Sequence, residues 1–325
     1  MSGELRKGRK GRLNYGTIYT LPIVVWFTVF FLVPLLVIVL FSFLEADIDG
    51  GVLPRFTAAA FAGLWKPRIL KLFVNTVWVS LASTALTIAM ALPCAYYMAR
   101  SRNKTLLLIL VIVPFWTNFI IRIFAWKSIL EANGVVNSAL VGLGLVANPL
   151  QLEHNWIAVI VINVYTYLTY AILPLFSTIE KFDFTLLEAA RDLGATKMQA
   201  IFRVLLPNVR AGIVTAVFFT FIPLLGSFVV QQLIGTKDMY MLGNEINDNI
   251  YKYFDWPTAY ALAVVLMLLA NAGLLFVMRS DRRQAKVQAA RRVDDPDGLS
   301  PDQSGRKAGA SGTMVALGAG AGGAE

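Results

Sequence analysis

Six long apolar runs decide what this 325-residue chain can fold into. A helix needs about 20 apolar residues to cross the hydrocarbon core of a bilayer. The chain is 57% hydrophobic and 15% charged, whereas soluble domains carry roughly 25% charged residues. We therefore predict an all-α integral membrane protein with six transmembrane helices. The predicted spans are residues 18–44, 72–99, 105–126, 156–179, 212–234 and 259–278.

The basic residues lie at the ends of these runs and are shared unevenly between the two sides. If the N-terminus is cytoplasmic, 21 of the 29 Lys and Arg residues fall on the cytoplasmic side and seven on the outer side. Cytoplasmic loops of membrane proteins carry this excess, so both termini are predicted to be cytoplasmic. The net charge of +9 forms no single basic stripe, so nucleic acid is not an expected partner.

The spans divide the chain into a membrane domain and two tails. We predict a basic cytoplasmic N-terminal tail at 1–17, a six-span domain at 18–280 with a cytoplasmic loop at 180–210, and a cytoplasmic tail at 281–325. From about residue 294 that tail is rich in Gly, Ala, Ser and Asp, a composition typical of disorder. One cysteine and one histidine predict neither a disulfide framework nor a Cys/His metal cluster.

A polar stretch, TLLEAARDLGATKMQAIFRVLLP at 185–207, interrupts the apolar chain between the fourth and fifth spans. Its segments TLLE and TKMQ each have the spacing of a capping box, which starts a helix. Gly194 lies between them, where a helix ends in the left-handed conformation, and Pro207 closes the second helix. A helix of about eight residues is unstable alone in water. From these residues alone it either packs on the protein's own spans or docks on a cytoplasmic partner.

The same stretch resembles a known signature. The pattern Glu188-Ala-Ala-x-x-x-Gly194, followed after nine residues by Val204, one residue, Leu206 and Pro207, is similar to the EAA signature of ABC-importer permease subunits. Val204 stands where that family has Ile. The segments VPFWTNFIIRIFAW at 113–126 and LPLFSTIEKFDFTLLEAARDLGA at 173–195 look like the first permease subunit of spermidine/putrescine importers. The resemblance covers residues 15–285.

This resemblance implies a type I ABC-importer permease fold in the cytoplasmic (inner) membrane of a bacterium. The loop would be a coupling helix, held by a partner ATPase through Glu188, Ala189, Ala190, Asp192, Gly194 and Pro207. The implied partners are two copies of that ATPase, a second homologous permease subunit and an extracytoplasmic solute-binding protein. The implied cargo is a polyamine, although importers for iron, phosphonates or other small solutes share much of the pattern.

Catalytic chemistry is not expected in this chain. No G-x-x-x-x-G-K-[ST] phosphate loop occurs in it, so ATP hydrolysis is assigned to a partner, and no cofactor, metal or catalytic residue is predicted. A self-contained secondary transporter would need embedded acids for ion coupling, yet Arg122 is the one strong charge inside a predicted span. A purely structural scaffold would leave the two capped cytoplasmic helices unexplained.

Five residues are candidates for the cargo pathway. Asn163, Tyr167 and Tyr170 share one face of the fourth span, where tyrosine rings attract ammonium groups by about 0.5–2 kcal/mol. Interfacial tyrosines and hydrogen bonds between helices explain the same pattern. Arg122, one turn from Asn118, would repel a polyamine, so we favour a structural ion pair or an interface anchor for it.

Other polar residues near the outer ends of the spans have two open interpretations. Asn75 and Thr76 open the second span, and Gln231 and Gln232 end the fifth. These four either line a pathway or hold helices together. The acids Glu245, Asp248 and Asp255 are expected to form a solvated face, with contact to a binding protein as the alternative.

Overall fold

The structure is a computed structural model that describes residues 15–47 and 50–293. Most of the predicted N-terminal tail, and the disorder predicted from about residue 294, lie outside these residues. Within the described part, one compact unit ends at Ala270, and a second begins at Asn271 and consists of the continuation of one helix to Val293.

Helices dominate the described residues, in agreement with the all-α prediction. Fifteen α-helices run in chain order, together with two π turns at Thr28–Leu32 and Ile201–Leu205 and two 3₁₀ turns at Val113–Trp116 and Lys237–Met239. The α-helices are α1 Tyr15–Phe27, α2 Val33–Phe41, α3 Ala59–Gly63, α4 Pro67–Arg100, α5 Lys104–Ile112, α6 Phe119–Leu130, α7 Val135–Gly142, α8 Trp156–Ile179, α9 Thr185–Asp192, α10 Lys197–Ala200, α11 Leu206–Asn208, α12 Arg210–Leu225, α13 Val229–Ile234, α14 Leu242–Tyr251 and α15 Trp256–Val293.

Four of the helical segments are long and apolar enough to cross a membrane. They are Thr20–Phe41, Pro67–Arg100, Trp156–Ile179 and Trp256–Leu275. Two bent pairs pass the same test together, namely Lys104–Trp116 with Phe119–Gly142, bent by 89°, and Lys197–Asn208 with Arg210–Leu225, bent by 73°. The described residues therefore contain four to six candidate spans.

The third and fifth predicted spans are broken, which sequence hydropathy did not reveal. The third breaks where Thr117 and Asn118 are extended, and the fifth ends at Leu225 and resumes as α13 after a break at 226–228. A proline, Pro34 or Pro207, stands two residues after the end of each π turn. The amide of the residue before each proline, Val33 or Leu206, donates to the carbonyl five residues back. The proline itself has no N–H with which to continue the helical hydrogen bonds.

A small antiparallel hairpin is the one sheet in the described residues. Its strands, β1 Leu44–Ala46 and β2 Val52–Phe56, follow α2 and pair with an irregularity between Leu44 and Glu45. The prediction of an all-helical chain missed it, because the hairpin is short and lies between spans. It leads through α3 into α4 and so begins the segment that carries the second span.

The core forms where α4, α8 and α12 pack against one another. Small residues allow the close approach: Ala91 and Ala95 of α4, Ala171 of α8 and Ala216 of α12 are all fully buried. Gly212 of α12 lies directly against Thr178 with no room for a Cβ. Membrane helices commonly associate through such small-residue contacts, because lipid provides no hydrophobic drive between them.

Candidate functional site

The polar stretch between α8 and α12 folds as predicted in outline, with a different start. Thr185 does not cap α9; instead the Asp183 carboxylate accepts hydrogen bonds from the Thr185 hydroxyl at 2.7 Å and the Thr185 amide at 3.0 Å. These two bonds lower the pKa of the Asp183 carboxyl below its ordinary value. The predicted Thr185–Glu188 capping box is therefore wrong, because an acid two residues upstream already satisfies the first turn.

Gly194 ends α9 in the way the sequence predicted. Its φ is +87°, in the left-handed region that residues with a Cβ avoid. Its amide donates to the Arg191 carbonyl at 2.9 Å, and the Ala195 amide donates to the Ala190 carbonyl at 3.1 Å. A Cβ on Gly194 would meet no atom within 4 Å. The position thus requires glycine for its backbone angle and leaves the space above it open.

The second capping box forms as predicted. The backbone N–H of Gln199 donates to Thr196 Oγ1 at 3.3 Å, and the backbone N–H of Thr196 donates to the side-chain Oε1 of Gln199 at 2.9 Å. The helix that begins here continues through α10, the second π turn and α11 to Asn208. Pro207 therefore lies one residue before the helix end, which matches its predicted closing role.

Buried apolar residues attach this loop to the helix bundle. Leu187, Ala200 and Leu205 belong to one core cluster with residues of α4 and α8. The Arg100 guanidinium at the end of α4 lies 5.9 Å from the Tyr96 ring centre and 5.5 Å from that of Phe184, and its Nη1 donates to the Tyr96 hydroxyl at 3.0 Å. Lys104 pairs with Glu180 at 2.5 Å. The loop consequently rests on α4 through packing and the Arg100 contacts, and on α5 through the ion pair of Lys104.

Other apolar side chains of the loop are exposed. Leu193 is 89% exposed, Met198 61% and Phe202 60%. Of the predicted partner-contacting residues, Glu188, Ala189, Asp192, Gly194 and Pro207 are also exposed, and Ala190 is half-buried. A hollow of about 530 Å³ surrounds Gly194 and is lined by Glu188, Arg191, Asp192, Ala195, Thr196 and Lys197. We name the exposed residues of 188–207 the coupling face; exposed apolar side chains on a polar segment are typical of a protein-binding site.

Asn118 and Arg122 lie at the break of the third span. The Asn118 side chain caps α6 by accepting from the amides of Ile120 at 2.9 Å and Ile121 at 3.4 Å. Arg122 is half-buried, and its Nε has no hydrogen-bond partner among the described residues. Asn118 thus has a structural task, and no carboxylate of the described part of the chain supplies the ion pair considered for Arg122.

The fourth span brings its candidate residues into an aromatic group. Tyr167 is buried, and its ring centre lies 5.7 Å from that of Tyr170. Tyr170 in turn lies 5.1 Å from Phe115 of the third span. Asn163 is fully buried, and neither of its amide atoms has a hydrogen-bond partner in the described residues. Tyr170 is the most accessible member of the three.

Three of the four polar residues with two open interpretations join separate segments of the chain. Thr76 accepts a bond from the Leu242 amide, Asn75 donates to two carbonyl oxygens, and the buried Gln231 donates to the Met241 sulfur at 2.8 Å. Gln232 stays exposed.

Glu245, expected on a solvated face, is instead 5% exposed and paired with Arg68. This pair could not be predicted from the sequence, because its members are 177 residues apart.

No group of three or more His, Cys, Asp or Glu residues in the described ranges is arranged to hold a metal ion. The candidate residues fall into three groups: the coupling face, the aromatic group of Tyr167, Tyr170 and Phe115, and the polar contacts at the N-terminal end of α4.

Comparison with known proteins gives a consistent result. Residues 10–286 match the family model described as binding-protein-dependent transport system inner membrane component. The chain is 34% identical over 275 residues to the spermidine/putrescine transport system permease protein PotB of Salmonella typhimurium (strain SL1344), covering 84% of this chain and 96% of that protein. It is 35% identical over 262 residues to PotB of Escherichia coli (strain K12), covering 80% and 95%.

A solved structure shares the fold. One chain of a bacterial alginate ABC transporter, in complex with an alginate pentasaccharide-bound periplasmic protein, aligns with a TM-score of 0.65. The alignment covers 85% of this chain and 99% of that chain at 20% sequence identity. At this identity the likeness shows the fold alone.

Proposed function

The chain belongs to the family of binding-protein-dependent transport system inner membrane components, and on this premise we propose that it imports polyamines as one permease subunit of an ABC importer. In that role it forms the translocation pathway together with a second permease subunit. A separate ATPase hydrolyses ATP, and this chain converts the ATPase's movement into opening and closing of the pathway.

The polyamine cargo rests on the relatives and on the aromatic group. Both PotB proteins are named for spermidine/putrescine transport and match over nearly their full length. Spermidine and putrescine are cations at neutral pH, and aromatic ring faces attract ammonium groups. Tyr170 and Phe115, with ring centres 5.1 Å apart, supply such faces, and Phe115 is exposed.

The proposed topology has six spans with both termini in the cytoplasm. Each bent pair contributes one span, which in the second pair is α12 without the segment Lys197–Asn208, and the excess of Lys and Arg on one side sets the orientation. The six-span domain covers 18–280, between cytoplasmic tails at 1–17 and 281–325. The coupling face is then cytoplasmic, and the β-hairpin and α14 lie on the outer side.

The coupling face is the observation that carries the proposal. Leu193, Met198 and Phe202 are exposed to the extent expected of residues that bury themselves in a partner. We assign the contact with the ATPase to Glu188, Ala189, Ala190, Asp192, Gly194 and Pro207, and we propose two ATPase copies, one for each permease subunit.

Two further partners complete the proposed importer. The first candidate span, Thr20–Phe41, buries none of its most apolar window within the chain, so a second permease and lipid remain to cover it. The alginate transporter was solved with a periplasmic protein bound, and we propose a solute-binding protein in the same position here.

The five candidate pathway residues receive different roles in this proposal. Tyr170 contacts cargo directly, and Tyr167 and Asn163 support it from buried positions on the same helix. Asn118 fixes the bend that brings Phe115 close to Tyr170. Arg122, whose Nε has no partner among the described residues, anchors an anionic group of the second permease or a lipid.

The test is an affinity pull-down of the tagged chain from its native membrane, followed by radiolabelled spermidine uptake. We expect an ATPase and a second permease to co-purify with the wild type and the ATPase to be lost from Glu188→Arg. Glu131→Arg makes the same charge change on the exposed end of α6 and should retain every partner. A wild-type chain that purifies alone, or a complex that takes up no polyamine, would overturn the proposal.

A further inference from the structure

A ladder of polar contacts fixes the segment between α13 and α15 to the first turns of α4. We name residues 237–251, which include α14, the clamp segment. The four α4 residues involved are spaced by three, four and one positions and share one face of the helix. The contacts are Arg68 Nη2 to Glu245 Oε2 at 2.6 Å, Lys71 Nζ to Asp238 Oδ1 at 2.8 Å, Asn75 Nδ2 to the carbonyls of Asp238 and Tyr240 at 2.9 and 3.1 Å, and the Leu242 amide to Thr76 Oγ1 at 2.8 Å.

Glu245 is the buried end of this ladder. Its side chain is 7% exposed, whereas that of Arg68 is 61% exposed. The second carboxylate oxygen of Glu245 lies 3.4 Å from Asn249 Nδ2. A buried carboxylate requires a charged or hydrogen-bonding partner, so loss of Arg68 leaves Glu245 with an uncompensated charge. Lys71 and Asp238 are both well exposed and form the weaker rung.

The clamp segment is also fastened to the break in the fifth span. Asn244 Nδ2 donates to the Phe228 carbonyl at 2.9 Å, and Gln231 Nε2 donates to the Met241 sulfur at 2.8 Å. A Cβ added to Gly243 would lie 2.8 Å from the Gly226 carbonyl oxygen, so the two backbones touch. The break at 226–228, α13 and the clamp segment therefore form one packed body.

The helix α4 joins this body to the coupling face. It runs without interruption for 34 residues, a length of about 50 Å at 1.5 Å per residue. Its C-terminal end carries Arg100, which lies over Phe184 beside the coupling face. Met98, two residues earlier, packs in the same core cluster as Leu187. One helix thus contacts the loop that meets the ATPase and the segment that meets the broken fifth span.

We propose that Arg68 and Glu245 keep the clamp segment attached to α4 throughout the transport cycle, so that displacement of the coupling face reaches the broken fifth span through α4. The inference rests on the proposed function, since it requires an ATPase to move the coupling face. Arg68 and Glu245 are positioning residues in this scheme and touch no cargo. The remaining contacts, made by Lys71, Asn75 and Thr76, hold the segment at a fixed position along α4.

Charge-neutralising variants test the clamp in the reconstituted complete importer. Arg68→Gln and Glu245→Gln should each lower polyamine uptake about tenfold while binding-protein-stimulated ATP hydrolysis continues, because the ATPase still moves the coupling face. Arg68→Lys, which keeps the charge, should restore most of the uptake. The matched control is Arg55→Gln, which removes an exposed pair with Glu45 at 3.9 Å and should leave uptake unchanged. Wild-type uptake in both neutral variants would overturn the clamp.

Covalent bridging distinguishes a clamp that stays closed from a contact that must open. Arg68→Cys and Glu245→Cys are combined with Cys94→Ser, which removes the sole native cysteine, and a short bifunctional maleimide joins the two positions. We expect the bridge to restore uptake lost in the unbridged double variant. If bridging abolishes uptake or restores none of it, the clamp does not stay closed and the inference fails. Wild-type importer that neither transports nor hydrolyses ATP would instead refute the proposed function.

Discussion

The coupling face and the clamp segment are both short, helical and placed between spans, yet they distribute their side chains in opposite ways. The coupling face exposes Leu193, Met198 and Phe202, whereas the clamp segment buries the polar Asn244, Glu245 and Asn249. A surface intended for another protein leaves apolar area uncovered until the partner arrives. A segment that serves its own chain can bury polar groups, because fixed neighbours satisfy them. Exposed apolar groups therefore indicate a segment that contacts another protein, and buried polar groups indicate a segment that packs on its own chain.

The largest expected effect comes from filling the space above Gly194. Gly194→Arg should lower polyamine uptake about 100-fold with little change in the amount of folded permease, because the side chain enters open space where the ATPase docks. Uptake in proteoliposomes and ATPase rate are the measurements.

Gly144→Arg is the matched control for this prediction. Gly144 also has a left-handed φ, +69°, and no atom within 4 Å of an added Cβ, so both variants carry the same backbone cost of about 1–2 kcal/mol. Equal losses of uptake in the two variants would mean that backbone strain, and not partner contact, explains Gly194.

Truncation of one exposed and one buried apolar residue should distinguish contact with the ATPase from folding stability. Phe202→Ala removes a side chain that is 60% exposed, and Leu205→Ala removes one that is fully buried in the same π turn. We expect Phe202→Ala to weaken ATPase binding about tenfold with an unchanged Tm, because hot-spot residues act in the complex. Leu205→Ala should cost about 2–5 kcal/mol of folding stability. A lower Tm in Phe202→Ala would show that this side chain serves its own fold.

The packing of the clamp segment on the span break predicts a moderate loss of stability. Gly243→Ala places a Cβ 2.8 Å from a rigid backbone carbonyl, and overpacking of this kind costs about 1–3 kcal/mol. We expect a Tm lower by about 5 °C in a detergent thermal-shift assay. Gly63→Ala, whose Cβ would meet nothing within 4 Å, should leave the Tm unchanged. An unchanged Tm in Gly243→Ala would show that the two backbones separate readily.

The smallest effect concerns the start of α9. Asp183→Asn weakens the bonds from Thr185 and should speed hydrogen exchange in the first turn of α9 by a few-fold. The hydrogen bonds from Thr185 lower the pKa of Asp183, so their stabilising effect is complete above the ordinary aspartate pKa and is lost as pH falls through the lowered value. Protection in the wild type should thus stay constant between pH 5 and 8. A decline within that range would contradict the assigned cause.

Features encoded within one or two helical turns could be predicted from the sequence. The second capping box and the left-handed Gly194 depend on residues at most five positions apart, and both form as expected. The first capping box failed because Asp183, just upstream of the pattern, competed for the same amide. The breaks of the third and fifth spans were hidden for a related reason: hydropathy averages over about 20 residues and does not register a bend at one or two of them.

The sequence by itself determined the membrane class, the approximate spans and the polar loop with its family signature, because hydrophobic length and local turn chemistry are readable along the chain. Only the tertiary structure decided which polar residues find partners. It buried Glu245 beside Arg68, 177 positions away, and it placed Arg100 over Phe184 while leaving Leu193 uncovered. Such choices depend on how α4, α8 and α12 pack, and the spacing of residues along the chain carries no record of contacts that packing creates between distant segments.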